Sequence, residues 1–184
     1  TGTDPVTVTH GYKNGETTLS PMPTGTHNAH VLTFESRTFE LKTKTLTPDP
    51  TTGTWHTDSS LSLSSNKFTV SKNDVYQFHK VIDDATNEDI TYKFIFNNGQ
   101  TDNYYGPGTA TLKQGASAPS GTVNVQYRYF LHSTPSPATN TGYFGPNSYV
   151  NITYDKIPEY LSPAGAAYRL ADCIDMRPAK NPAD

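Results

Sequence analysis

The densest group of chemistry-bearing side chains is Asp83, Asp84, Asn87, Glu88 and Asp89. So many oxygen ligands in one short segment have the composition of a calcium loop. Their spacing does not fit the twelve-residue calcium frame with its central glycine. Asp and Asn also cap backbone amides in tight turns, so a solvated hairpin turn is the expectation. His27 and His30 form a His-x-x-His pair. On an extended segment two such rings converge poorly on one zinc ion. His10, His56, His79 and His132 are scattered, and neither a metal site nor a cofactor is expected.

Nucleophilic chemistry has little to build on. No Gly-x-Ser-x-Gly elbow is present, and no glycine-rich phosphate loop precedes a helix. The single cysteine, Cys173, sits beside Asp172 and Asp175, whose charges disfavour a reactive thiolate. Carboxylates paired in a recognisable glycosidase frame are missing too, so a depolymerase is not expected and the chain reads as a non-enzyme. Binding chemistry is better represented. Trp55, Tyr104, Tyr105, Tyr143 and Phe144 fall on loop-like segments, where aromatic faces can stack on sugar rings. The competing expectation is that Tyr serves as a large strand residue whose hydroxyl is tied to backbone. Asn151-Ile152-Thr153 fits a glycosylation sequon but falls in a predicted strand.

These residues must be positioned by strands. Ile90, Tyr92, Phe94 and Phe96 alternate with Thr91, Lys93 and Ile95, which predicts a long strand over 90–96. Val123, Val125, Tyr127 and Tyr129 alternate with Asn124, Gln126 and Arg128 in the same way. Asn98-Gly99 signals a turn, with 100–105 as the returning hairpin partner. Further strands are predicted at Val6–His10, through His30–Thr47, at Val75–Ile82, at Thr109–Lys113 and at Tyr149–Tyr154. In the His30–Thr47 stretch Leu32 and Phe34 share one face, as do Phe39 and Leu41, with a parity slip near Glu35–Arg37. Ser133–Pro146 is a long polar loop.

Composition agrees with an all-β chain. Thr is roughly one residue in seven, and 13 Gly and 14 Pro punctuate the sequence. The expected fold is an antiparallel β-sandwich, immunoglobulin- or fibronectin-like, with long loops and an extended C-terminal connector. The sandwich module is placed at 73–158. Residues 1–72 form either a separate small β domain or part of the sandwich, and 159–184 lead toward the next domain of a longer protein. The 14 Lys and Arg are spread along a chain of net charge −3, which argues against nucleic acid as a partner. No apolar run approaches the length of a membrane span.

A block from about 71 to 178 resembles a virion structural protein family of contractile-tailed phages, including cyanophages. Its pieces are DVYQFHKVIDD, ITYKFIFNNGQTDNYYGPGTATLK, the GASAPSG turn, a Val- and Tyr-rich strand ending YFLH, SYVNITYDKIPEY and YRLADCIDMRP. The resemblance implies a β-rich, non-catalytic module of a tail fibre or baseplate located in the virion. Implied partners are other tail proteins and copies of itself, as a homotrimer. The alternative is a carbohydrate- or receptor-binding module that meets a host surface glycan through the loop aromatics.

Overall fold

The computed structural model describes residues 38–134 and 142–180, together with the strand backbones of Val6–His10 and Gly15–Leu19. His27 and His30 lie outside the described residues. The chain divides into two compact units, Thr1–Thr38 and Phe39–Asp184. In the first unit, β1 (Val6–His10) and β2 (Gly15–Leu19) pair antiparallel from Val6 opposite Leu19 to His10 opposite Gly15.

The second unit holds the remaining strands: β3 (Glu40–Leu41), β4 (Lys44–Thr47), β5 (His56–Leu61), β6 (Lys67–Asn73), β7 (Val75–Asp83), β8 (Phe94–Asn97), β9 (Pro107–Leu112), β10 (Val123–His132), β11 (Gly142–Tyr143), β12 (Tyr149–Val150), β13 (Glu159–Leu161) and β14 (Ala167–Arg169). The described residues contain no α-helix, only strands and short 3₁₀ turns. The chain is therefore all-β, and most of its strand pairs are antiparallel. The exceptions are the short parallel pairs β11–β3 and β12–β4.

The centre of the second unit is β10. Along one edge it pairs with β7 from Val123 to Tyr129; β5 and then β4 take the other edge in succession. A second, three-stranded sheet runs β6-β9-β8. One core draws on both sheets: Val75, Val81, Val123, Val125 and Tyr127 from the first, Phe68, Val70, Phe94 and Ala110 from the second, and Ile90 between β7 and β8. The period-two pattern of β10 is what the sequence predicts, with Val123, Val125 and Tyr127 fully buried.

The pattern over 90–96 is not. Thr91–Lys93 forms a 3₁₀ turn, and strand begins only at Phe94. Ile90 and Phe94 are buried while Tyr92 is 70% exposed. The cause is local. Asp89 Oδ1 accepts the Thr91 N–H at 3.1 Å and the Thr91 hydroxyl at 2.5 Å, and that hydroxyl accepts the Val81 N–H at 2.8 Å. These bonds hold the backbone in a turn against the strand preference of the side chains.

The hairpin partner of β8 is also different. It pairs with β9, from Phe94 opposite Leu112 to Asn97 opposite Thr109. Residues 98–106 form the intervening loop, closed by a bridge between Gln100 and Tyr105 and by the Gly106 N–H donating to Gly99 O at 2.7 Å. Gly99 has φ +84, and a Cβ there would lie 2.1 Å from Gly106 O, so the loop requires glycine.

Strand 149–154 stops early: only Tyr149–Val150 pair, and Asn151 turns the chain at φ 63. The region from 159 onward is tied back to the body. After the β13–β14 hairpin and a 3₁₀ turn at Leu170–Asp172, Phe144 and Asp175 exchange backbone hydrogen bonds at 2.7 and 2.8 Å. Tyr105 donates to Pro178 O at 2.8 Å and accepts from Lys180 N at 2.9 Å. Asn73 Nδ2 donates to Lys180 O at 2.5 Å.

Candidate functional site

Strand β4 and the residues before it invert the usual alternation. Lys42, Lys44 and Leu46 point inward, whereas Phe39 and Leu41 are 40% and 46% exposed. Two ammonium groups therefore enter the protein, and Lys44 is completely buried. Burial of an unpaired ammonium is costly, so partners must come from elsewhere in the chain.

The first partner is Asp74, also completely buried, with Oδ2 2.9 Å from Lys44 Nζ. Asp74 links β6 to β7 in a left-handed conformation, φ 51, which Asp tolerates better than most residues. Its N–H donates to Gly106 O and its carbonyl accepts from Phe130 N, both at 3.0 Å, so backbone bonds fix the direction of the side chain. His132 Nε2 lies 2.7 Å from Oδ2, and Gln100 Nε2 donates to Oδ1 at 3.2 Å. Aromatic rings complete the surroundings of Lys44 Nζ: Tyr105 at 3.4 Å, Phe144 at 4.6 Å, Tyr149 at 5.7 Å and Phe130 at 5.8 Å from their centroids. The ammonium sits against the carboxylate as a close, fully buried ion pair. Among the described residues, His132 Nδ1 and the Tyr149 hydroxyl have no hydrogen-bond partner.

The second acid is Asp175. It accepts Arg177 Nη2 at 2.9 Å, Arg177 Nε at 3.0 Å and the Tyr105 hydroxyl. Arg177 also donates to the Tyr105 hydroxyl at 2.7 Å and to Thr101 O at 2.8 Å, and its guanidinium lies over the rings of Tyr105 and Tyr160. The cluster thus joins residues from β4, the β6–β7 junction, the 98–106 loop, β10, the segment after β11 and the 170–180 segment.

Burial sets the electrostatics. It lowers Lys44 more than the neighbouring Asp74 charge raises it, and it lowers Lys42 against the weaker pull of Asp175. His132 is lowered by burial despite its bond to Asp74. Burial pushes both acids upward, but Lys44 and His132 hold Asp74 below the usual carboxylate range, and Arg177 and Tyr105 do so for Asp175. The Tyr105 hydroxyl is raised by burial and by both acids, so it stays protonated and donates. Lys44 and Asp74 are closed to solvent, so their chemistry is limited to what they do to each other and to the fold.

The acidic segment is a turn. Asp83 Oδ1 accepts the Ala85 N–H at 2.9 Å, and its carbonyl accepts the Asn87 N–H at 2.8 Å. Asp84 accepts from Thr122 at 2.6 Å, from Ser60 at 3.3 Å and from Asn124. Among the described residues no three His, Cys, Asp or Glu side chains converge as metal ligands. Of the scattered histidines, His79 stacks on Trp55, with centroids 4.1 Å apart, and His56 lies 3.2 Å from Asp58.

The loop aromatics do not form one surface. Tyr105 and Phe144 are fully buried in the charge cluster and present no face to a ligand. Trp55 is half-buried, and Arg128 lies 3.8 Å from its ring centroid in addition to the His79 stack. Tyr104 and Tyr143 are half-buried, with Lys180 over the Tyr104 ring at 5.1 Å. The cluster itself escapes sequence reasoning because alternation normally turns lysine outward. The one local signal is the parity of Lys42, Lys44 and Leu46 in the run LKTKTLT, where Thr43, Thr45 and Thr47 take the other face.

Comparison with protein families, curated proteins and solved structures finds no match.

Proposed function

We propose that the chain is a non-catalytic structural module of a bacteriophage tail protein, in a tail fibre or at the baseplate periphery. It serves virion assembly beside other tail proteins, with self-association as a homotrimer. On this reading the two core-sharing sheets belong to an immunoglobulin- or fibronectin-like sandwich. One observation carries the proposal. Separate pieces of the block that resembles the virion family supply most members of one buried cluster, with Lys42 and Lys44 coming from before it. Asp74 opens the first piece, Gln100 and Tyr105 lie in the second, His132 ends the strand, and Asp175 and Arg177 close the last. A module whose distant segments are clamped by buried ion pairs is suited to holding its shape when neighbours pull on it.

The test is protein identification in purified virions, followed by antibody labelling under the electron microscope and light scattering of the isolated chain. Presence on the tail and a trimeric mass support the proposal. Absence from virions together with a monomer that binds no tail protein overturns it. The glycan-binding alternative rests on the partly open rings of Trp55, Tyr104 and Tyr143. A glycan array with no signal, or a signal unchanged in Tyr143→Ala and Trp55→Ala, removes it.

A further inference from the structure

We propose that Lys44 and Asp74 join covalently, through an isopeptide bond formed by the folded chain itself. The geometry is that of a reactant pair. Nζ lies 2.9 Å from Oδ2, and both side chains are entirely buried. Backbone bonds to Gly106 and Phe130 fix Asp74, and the inward register of β4 fixes Lys44. Well-oriented intramolecular pairs reach effective molarities of about 10⁵–10⁸ M, and holding both partners in place is what gives access to that gain.

Each carboxylate oxygen has a neighbour suited to one fate. Gln100 Nε2 donates to Oδ1, the oxygen that remains as the amide carbonyl and carries charge in the tetrahedral intermediate. Lys44 Nζ lies 2.9 Å from Oδ2, the oxygen that leaves, and can hand its protons to it directly, while His132 Nε2 contacts the same oxygen at 2.7 Å. The step balances without an outside reagent. The Nζ–Cγ bond forms and the Cγ–Oδ2 bond breaks. Oδ2 departs as water with two of the three ammonium hydrogens. The positive and negative charges disappear together, which removes the desolvation penalty of a buried ion pair.

The surroundings favour product. Burial weakens the hold of Lys44 on its proton, while Asp74 rests as a carboxylate and becomes reactive only when that proton moves onto it. The rings of Tyr105, Phe144, Tyr149 and Phe130 exclude the water that would reverse the reaction. The single cysteine leaves no intrachain disulfide to perform the same cross-linking.

The test is the intact mass of the full chain under denaturing conditions, with peptide mapping. The expected result is a mass one water below that of the sequence and a branched peptide joining Lys44 to Asp74. Chain made by chemical synthesis and never allowed to fold should have the full mass and lose the water only on folding. Lys44→Arg and Asp74→Ala should abolish the branched peptide completely. If those variants do not fold, the wild-type measurement decides alone. The full sequence mass in folded protein overturns the proposal, as does equal water loss in chain that has never folded or a water loss that maps to another residue.

Discussion

Arg177 neutralises Asp175, donates to the hydroxyl of Tyr105 and covers that ring. Replacing it with Met keeps most of the packing volume but leaves a buried carboxylate without its cation. The expected cost is about 3–5 kcal/mol in chemical denaturation. Lys in its place should recover only part of this, because it cannot reproduce the forked contact. A second carboxylate gives a pH prediction. Asp58 accepts the Ser71 N–H at 2.6 Å, the Ser71 hydroxyl at 2.7 Å and the Tyr127 hydroxyl at 2.9 Å. Burial alone would raise its carboxyl, but these donors hold it below the ordinary range. Because the folded value is depressed, its stabilisation is fully present above the unfolded value of about 3.9 and is lost as pH falls through the folded value. Unfolding free energies measured between neutral and acid pH should show this loss, and Asp58→Asn should flatten that part of the curve.

The turn at Thr91–Lys93 has a consequence for its whole element. If 90–96 were one alternating strand, Ile90 and Tyr92 would be equally sensitive to truncation. In the observed turn Ile90→Ala should cost about 2–5 kcal/mol, whereas Tyr92→Ala should stay within about 0.5 kcal/mol, as exposed substitutions do. Equal effects in urea titrations would return the segment to a regular strand. Gly99→Ala tests the neighbouring loop, since its Cβ would collide with the carbonyl of Gly106. Losses of at least about 1–3 kcal/mol are expected there from overpacking and a disallowed φ. Strand β10 was legible in the sequence because its inward residues are apolar and their period is two; β7 was legible from its strand-forming residues, although two bulges set its inward Val75, Phe78 and Val81 three apart. The turn was not, because a single side chain, Asp89, outcompetes the pattern. Lys42 and Lys44 were not, because what allows a lysine inward is a carboxylate or ring supplied from far along the chain. Of the aromatics that marked a possible surface, Tyr105 and Phe144 proved to be the walls around Lys44. Aromatic type alone does not distinguish a stacking platform from the lining of a buried charge.

At the scale of the molecule, the 170–180 segment is part of the second unit, held by backbone bonds to Phe144 and Tyr105 as well as by Arg177. A chain stopped after Pro158 should therefore expose Tyr105 and Phe144 and lose its cooperative transition. Thermal unfolding and dye binding would report this, and an unaltered transition would make the segment a dispensable connector. The same arrangement dictates timing. Translation proceeds from the N-terminus at about 5–20 residues per second, so Lys44 and Asp74 are made well before His132, and Asp175 and Arg177 come later still. During that interval two ionic groups destined for the interior must stay hydrated, and the sheet around β10 must wait with its charged side open. Folding of this unit is therefore expected to be a late event, limited by long-range pairing more than by local strand preference. A ribosome paused before Asp175 should carry a nascent chain that proteases still cut within β4.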